Sequence, residues 1–174
     1  MVTTNGSELP KRKPNRLRNF DYSSAHAYFI TVCTKNRKQL FWNTDKTNVG
    51  AATGRPQEIP LSTYGKIVDT AIRQIPLHYP CITVDYYVVM PNHIHLLLQI
   101  HEADKNGRPL AAPTISNVIN HLKGAITRKV RQPIWQKLFH DHVVRDRHDY
   151  QKIAAYIENN PALWREDCFF GEDE

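Results

Sequence analysis

The chain has 174 residues, room for one folded domain with appended segments and too little for two full ones. Its 41% hydrophobic and 23% charged residues exclude wholesale disorder, and no run approaches the roughly 20 apolar residues of a membrane span. The net charge of +6 is unevenly placed: +4 over residues 1–20 and −4 over residues 165–174 cancel, so the part between carries the excess. A basic folded part suits a polyanionic partner such as nucleic acid. Cys33, Cys81 and Cys168 are far apart with no C-x-x-C spacing, which indicates neither a disulfide framework nor a cysteine zinc site. With no hydrophobic leader, the expectation is a cytoplasmic protein without membrane association.

Residues 1–19, polar and basic with Pro10 and Pro14, predict a flexible N-terminal arm. From Tyr28 the run Tyr-Phe-Ile-Thr-Val-Cys-Thr is aromatic and β-branched, a first strand. Residues 43–60, with Gly50, Gly54, Pro56 and Pro60, predict a loop insertion. Pro60-Leu61-Ser62 then opens a helix with Ile67, Ala71, Ile72 and Ile75 at helical spacing, which Pro76 and Pro80 are expected to end. Residues 81–90 form a strand by composition. Pro91 and Asn92 interrupt it, and residues 93–100 resume it, which implies a tight antiparallel hairpin. Ile115, Val118, Ile119, Leu122 and Ile126 predict a third helix, residues around 142–145 a short last strand, and residues 147–160 a final helix stopped by Pro161. An acidic tail, residues 165–174, follows. The order strand, helix, strand, strand, helix, strand, helix predicts an α+β fold, an antiparallel sheet with helices packed on it, in a ferredoxin-like or RRM-like topology.

Two groups of residues could carry chemistry. In a strand, side chains alternate, so His93 and His95 project to one face while Ile94, Leu96 and Leu98 project to the other. Two imidazoles on one face can share a divalent ion, although a His-x-His triplet also arises as ordinary packing. Hydrolases that need His-x-His-x-Asp, and histidine-triad nucleotide hydrolases, both fail at Leu97. On the last helix, Tyr150, Ile153, Ala154 and Ile157 form an apolar stripe, with Tyr156 and Asn160 one turn apart along its edge. That pair reads either as a packed ring and a helix cap, or as a nucleophile and an oxygen donor to the metal.

Together these residues resemble a family. Tyr-Val-Val-Met-Pro-Asn-His-Ile-His (87–95), Trp135-Gln136, Asp-His-Val-Val-Arg (141–145) and Tyr-Ile-Glu-Asn-Asn-Pro (156–161) resemble, in order, the HUH-type single-tyrosine transposases. The likeness is closest to the REP-associated tyrosine transposases and extends to small insertion-sequence transposases. It covers about residues 20–164, taken as the transposase domain between arm and tail. It implies an HUH endonuclease fold in which His93, His95 and Asn160 hold a divalent Mg or Mn ion and Tyr156 is the nucleophile. The implied activity is single-strand DNA cleavage and strand transfer through a 5′-phosphotyrosine, in transposition or repeat-element processing. The partner would be single-stranded, hairpin-forming DNA, and the protein a monomer or homodimer.

Residues 123–152 hold eight basic and three acidic residues, +5 of the excess, and Lys123 and Arg145 are the candidate DNA contacts. Trp135 and other aromatics nearby could stack on unpaired bases or anchor the core. Two other readings remain open: a non-catalytic nucleic-acid-binding module on the same fold, and a metal phosphodiesterase that activates water in place of tyrosine.

Overall fold

β1 (Ala27–Cys33) carries the aromatic and β-branched run seen in the sequence, and all but Phe29 of its residues are buried. The computed structural model describes residues 21–43, 60–102 and 113–170. The expected arm, the interior of the expected loop insertion and the last four residues of the tail lie outside the described residues. The two ends of that insertion meet: Asn43 N donates to Pro60 O at 2.7 Å, beside an isolated bridge between Trp42 and Leu61.

Among the described residues four α-helices accompany the strands: α1 (Thr63–Arg73), α2 (Ile75–His78), α3 (Ile115–Val130) and α4 (Arg147–Asn159). Ser62, Thr114 and Asp146 cap α1, α3 and α4, each side chain accepting from a backbone amide three residues on. Pro76 does not end the helical region as expected. Gln74 closes α1, and Pro76 then enters the first turn of α2, where no intrahelical N–H is required of it.

β2 (Ile82–Val89), β3 (His93–Ile100) and β4 (His140–Val143) complete an antiparallel sheet in the order β2-β3-β1-β4. This is the ferredoxin-like order expected, with both crossovers helical. The last strand begins two residues before its expected position, at His140. A register shift between Val84 and Tyr86 bulges β2 at Asp85.

The period of two decides which helix covers which face. Tyr28, Ile30, Val32, Ile94, Leu96, Leu98 and Ile100 meet α1 and α3 in the main core. Leu97 and Ala27 face the other way and pack with Val88, Met90 and the α4 residues Ile153, Ala154 and Ile157. Each fully buried Leu or Ile contributes roughly 2 kcal/mol, so a one-residue slip of β3, which would exchange its two faces, is strongly disfavoured. That register sends His93 and His95 to the α4 face.

The basic stretch of residues 123–152 does not form one surface. Lys123, Arg128 and Lys129 belong to α3, on one face of the sheet, and Arg147 and Lys152 to α4 on the other. Trp135 is an anchor of the core, its ring centroid 5.3 Å from that of Phe41.

Candidate active site

At the end of the sheet where β3 begins, the two imidazoles are almost wholly buried, His93 at 0% and His95 at 1% exposure. Their Nε2 atoms converge to 3.0 Å. Neighbouring ligands of an octahedral ion with bonds of about 2.0–2.1 Å stand about that far apart. Burial pushes both imidazoles down to about 3, with a lesser contribution from Arg37 at His93, so at neutral pH both rings are uncharged and can offer lone pairs.

The outer nitrogens are held by two residues that the sequence reading did not single out. Asn92 donates both amide hydrogens, to Arg37 O at 3.1 Å and to Phe169 O at 2.8 Å. Its Oδ1 therefore faces His93 Nδ1, 2.9 Å away, as an acceptor. The Nδ1 proton goes there, and His93 Nε2 is left as a lone pair. Thr31 Oγ1 stands 2.9 Å from His95 Nδ1 across the β1–β3 pairing.

α4 brings the second group. Its apolar stripe seats on the sheet, and Tyr156 projects from the stripe's edge with 41% of its surface exposed. The phenol oxygen lies 3.3 Å from His95 Nε2. Phe29 meets the tyrosine ring edge-on at 6.1 Å, which fixes the ring from below. Burial, with the charge of Asp167, pushes the phenol up to about 12, and a hydrogen bond from the Asn160 side chain pulls the other way. Asn160 caps α4, its backbone N–H reaching Tyr156 O, and is 2% exposed. Its side-chain Oδ1 is buried with no hydrogen-bond partner, the condition of an oxygen that awaits an electropositive group.

The segment after α4 supplies what the sequence hid. Residues 165–170, expected as part of a separate acidic tail, fold back over the histidines. Asp167 places a carboxylate oxygen within 4.8 Å of the ligand nitrogens of His93 and His95, and its Oδ2 accepts from the Tyr156 hydroxyl at 3.4 Å. The Phe169 ring lies 4.6 Å from the His93 ring, with the Arg37 guanidinium over it at 5.2 Å. The sequence reading counted this tail for its acidic charge alone, and the packing of Phe169 and Phe170 comes from contacts that the returning chain creates.

The donor set of two neutral imidazoles, an orphaned amide oxygen and a carboxylate fits a hard or borderline divalent ion. Of the candidate DNA contacts, Lys123 donates to Gln136 O at 2.8 Å and Lys137 O at 3.0 Å, which leaves one of its three hydrogens uncommitted. Arg145 is exposed at the entry to α4, and its backbone N–H donates to Asp149. Neither residue is bonded to the histidine and tyrosine group.

A helix-backed antiparallel sheet of this order, with two histidines of one strand beside a tyrosine of the last helix, is the arrangement that the resemblance to the HUH-type tyrosine transposases implied. An uncharacterised protein of Haemophilus influenzae is 30% identical over 98% of the chain and 99% of its own length. A REP-associated tyrosine transposase of the same organism is 28% identical over 81% of the chain and 73% of its length. Among solved structures, a REP-associated tyrosine transposase bound to a REP hairpin superposes with a TM-score of 0.57 at 22% identity, over 86% of this chain and 73% of that one. No protein-family profile matches the chain. The chain is similar to the tyrosine transposases, and its named relatives are on the REP-associated side.

Proposed function

We propose that this protein is a metal-dependent transposase that nicks single-stranded DNA with Tyr156 and passes the strand to a new 3′-hydroxyl. The observation that carries the reading is the convergence of the two Nε2 atoms, 3.0 Å apart, on the tyrosine oxygen 3.3 Å from one of them. A packed core histidine pair has no need of an exposed phenol, and a nucleic-acid-binding module has no need of either.

His93, His95 and Asn160 would hold the ion, with the Asp167 carboxylate as a further oxygen in reach. A divalent magnesium or manganese ion supplies neutralisation of the phosphate oxygens and favours the phenolate. The chain's own residues do the rest. Tyr156 Oη bonds to phosphorus as the bond from phosphorus to the 3′ oxygen breaks, giving a 5′-phosphotyrosine and a free 3′-hydroxyl. The phenol proton passes to Asp167 Oδ2, its hydrogen-bond partner, and from there to the departing 3′ oxygen, so the step is neutral overall and the carboxylate is restored. Attack by another 3′-hydroxyl reverses it and rejoins the strand. Phe29 and the packed stripe of α4 hold the nucleophile on a rigid element.

The hairpin in the related solved structure supports a hairpin-forming DNA partner. The experiment is a denaturing gel of the protein incubated with internally labelled hairpin oligonucleotides and Mn²⁺. Wild type is expected to form a covalent adduct that Tyr156→Phe does not form. Cleavage without an adduct, retained in Tyr156→Phe, would instead mean that activated water is the nucleophile.

A further inference from the structure

Outside the histidine site, an unassigned concavity lies at the same end of the sheet, between the turn after β1 and the loop after α3. It encloses about 340 Å³, within the range of pockets that hold small ligands. Leu40, Pro133 and Ile134 give it an apolar floor, Lys35 and Lys38 a cationic rim, and Asn36 and Gln132 two side-chain amides. No carboxylate lines it, and neither lysine takes part in an ion pair among the described residues. Tyr64 holds Gln132 from behind, accepting its Nε2 hydrogen at 2.6 Å.

The backbone around this groove is strained. Asn36, Arg37 and Arg131, with φ of 56°, 55° and 57°, are the non-glycine residues with positive φ among the described residues, and all three flank it. Left-handed conformations of this kind persist where surrounding structure enforces them and collect at ligand sites. Here Lys35 N donates to Ile134 O, and Arg37 O accepts from Asn92, so one wall is bonded to the residue that orients His93.

We propose that this groove is a subsite for one unpaired nucleotide of the DNA strand that enters or leaves the histidine site. The base lies on the Leu40, Pro133 and Ile134 floor, the Asn36 and Gln132 amides meet its edge, and Lys35 and Lys38 take the flanking phosphates. The charge pattern selects the occupant: an apolar floor inside a purely cationic rim suits a base bearing phosphates and repels a cationic peptide. The inference rests on the DNA-cleaving reading and gives it a means of choosing sequence beside the cleaved bond.

The test is fluorescence anisotropy with fluorescein-labelled single-stranded oligonucleotides in EDTA, so that binding is read without cleavage. Lys35→Gln with Lys38→Gln should reduce the slope of log affinity against log salt by about 1.4, from two phosphate contacts at roughly 0.7 each. Lys66→Gln with Arg73→Gln, which removes equal charge from α1, should leave that slope unchanged. An abasic site moved along the oligonucleotide should weaken wild-type binding about tenfold at one position. Asn36→Gly, which keeps the left-handed backbone, combined with Gln132→Ala, should lose most of that difference. Equal slopes for the two lysine and control pairs, or an abasic scan without a sensitive position, would overturn the subsite. The two readings fail separately: a wild type that forms no adduct removes the nuclease reading while a lysine-dependent slope stands.

Discussion

Thr31 on β1 faces His95 on β3 across a directly paired register position, its hydroxyl 2.9 Å from the ring's Nδ1. The pairing is part of the sheet, so the orientation of one candidate ligand is set by the same hydrogen bonds that build the core. Partners of this kind fix the tautomer and the ring plane of a metal-binding histidine, and their loss typically weakens metal affinity about 10- to 100-fold. Thr31→Val keeps the shape and removes the hydroxyl. Titration calorimetry with Mn²⁺ is expected to give that loss, with Thr31→Ser retaining most of the affinity. Unchanged affinity in Thr31→Val would mean that the backbone alone orients the ring.

The entry to α4 carries a second electrostatic device. Asp146 caps the helix and Asp149 accepts from His142 Nε2 at 2.8 Å and from Arg145 N at 3.1 Å. The hydrogen bond with His142 is the main cause that holds the Asp149 carboxyl below its ordinary value, with the Arg145 amide next. A depressed carboxyl stabilises the fold above its ordinary value of 3.8, and that contribution is lost as pH falls through the lowered one. Asp149→Asn is therefore expected to lower the urea midpoint at neutral pH, and the gap from wild type should close on acidification below the carboxylate range. A gap independent of pH would show that shape, not charge, is what Asp149 supplies.

Lys123 separates a structural from a phosphate-binding use of charge. Its ammonium ties α3 to two successive carbonyls of the loop before β4, and burial holds it below the ordinary lysine value. Lys123→Met leaves those carbonyls without this partner, at a cost of about 1–2 kcal/mol. Urea unfolding should show a lower midpoint at unchanged m-value, whereas Arg145→Gln should leave the midpoint in place.

The sequence carried the framework because the framework is periodic. Alternation along residues 93–100 sets two histidines against three aliphatic residues, and the stripe on α4 sets Tyr156 and Asn160 at its edge, so register and helix face are both written locally. Pro76 was misread because a proline that stops one helix is equally at home in the first turn of the next. Thr31, Asn92, Asp167 and Phe169 were not legible, since each acts through a contact that only the closed sheet and the returning chain create. Asn92 read as a turn former beside Pro91, which it is, and its second use depends on Arg37 and Phe169 taking up its amide hydrogens. In the same way the charge excess of residues 123–152 was correctly counted, but the fold divides it between two faces.

The returning segment also sets access. His93 is fully buried although it opens a strand at the end of the sheet, because the Phe169 ring covers it and Asn92 and Arg37 clasp the Phe169 and Cys168 carbonyls. The Phe169 ring stands between the paired nitrogens and an incoming phosphate. Phe169→Ala removes the cover and leaves the Asp167 carboxylate in place. It is expected to accelerate carbethoxylation of His93 and His95 by diethyl pyrocarbonate, mapped by peptide mass spectrometry, since that reagent needs an accessible neutral imidazole. If the proposed nuclease chemistry holds, the initial rate of adduct formation should rise in the same variant, with circular dichroism unchanged. Identical labelling rates in a folded Phe169→Ala protein would mean that the segment opens faster than the reagent reacts and is no barrier to the strand.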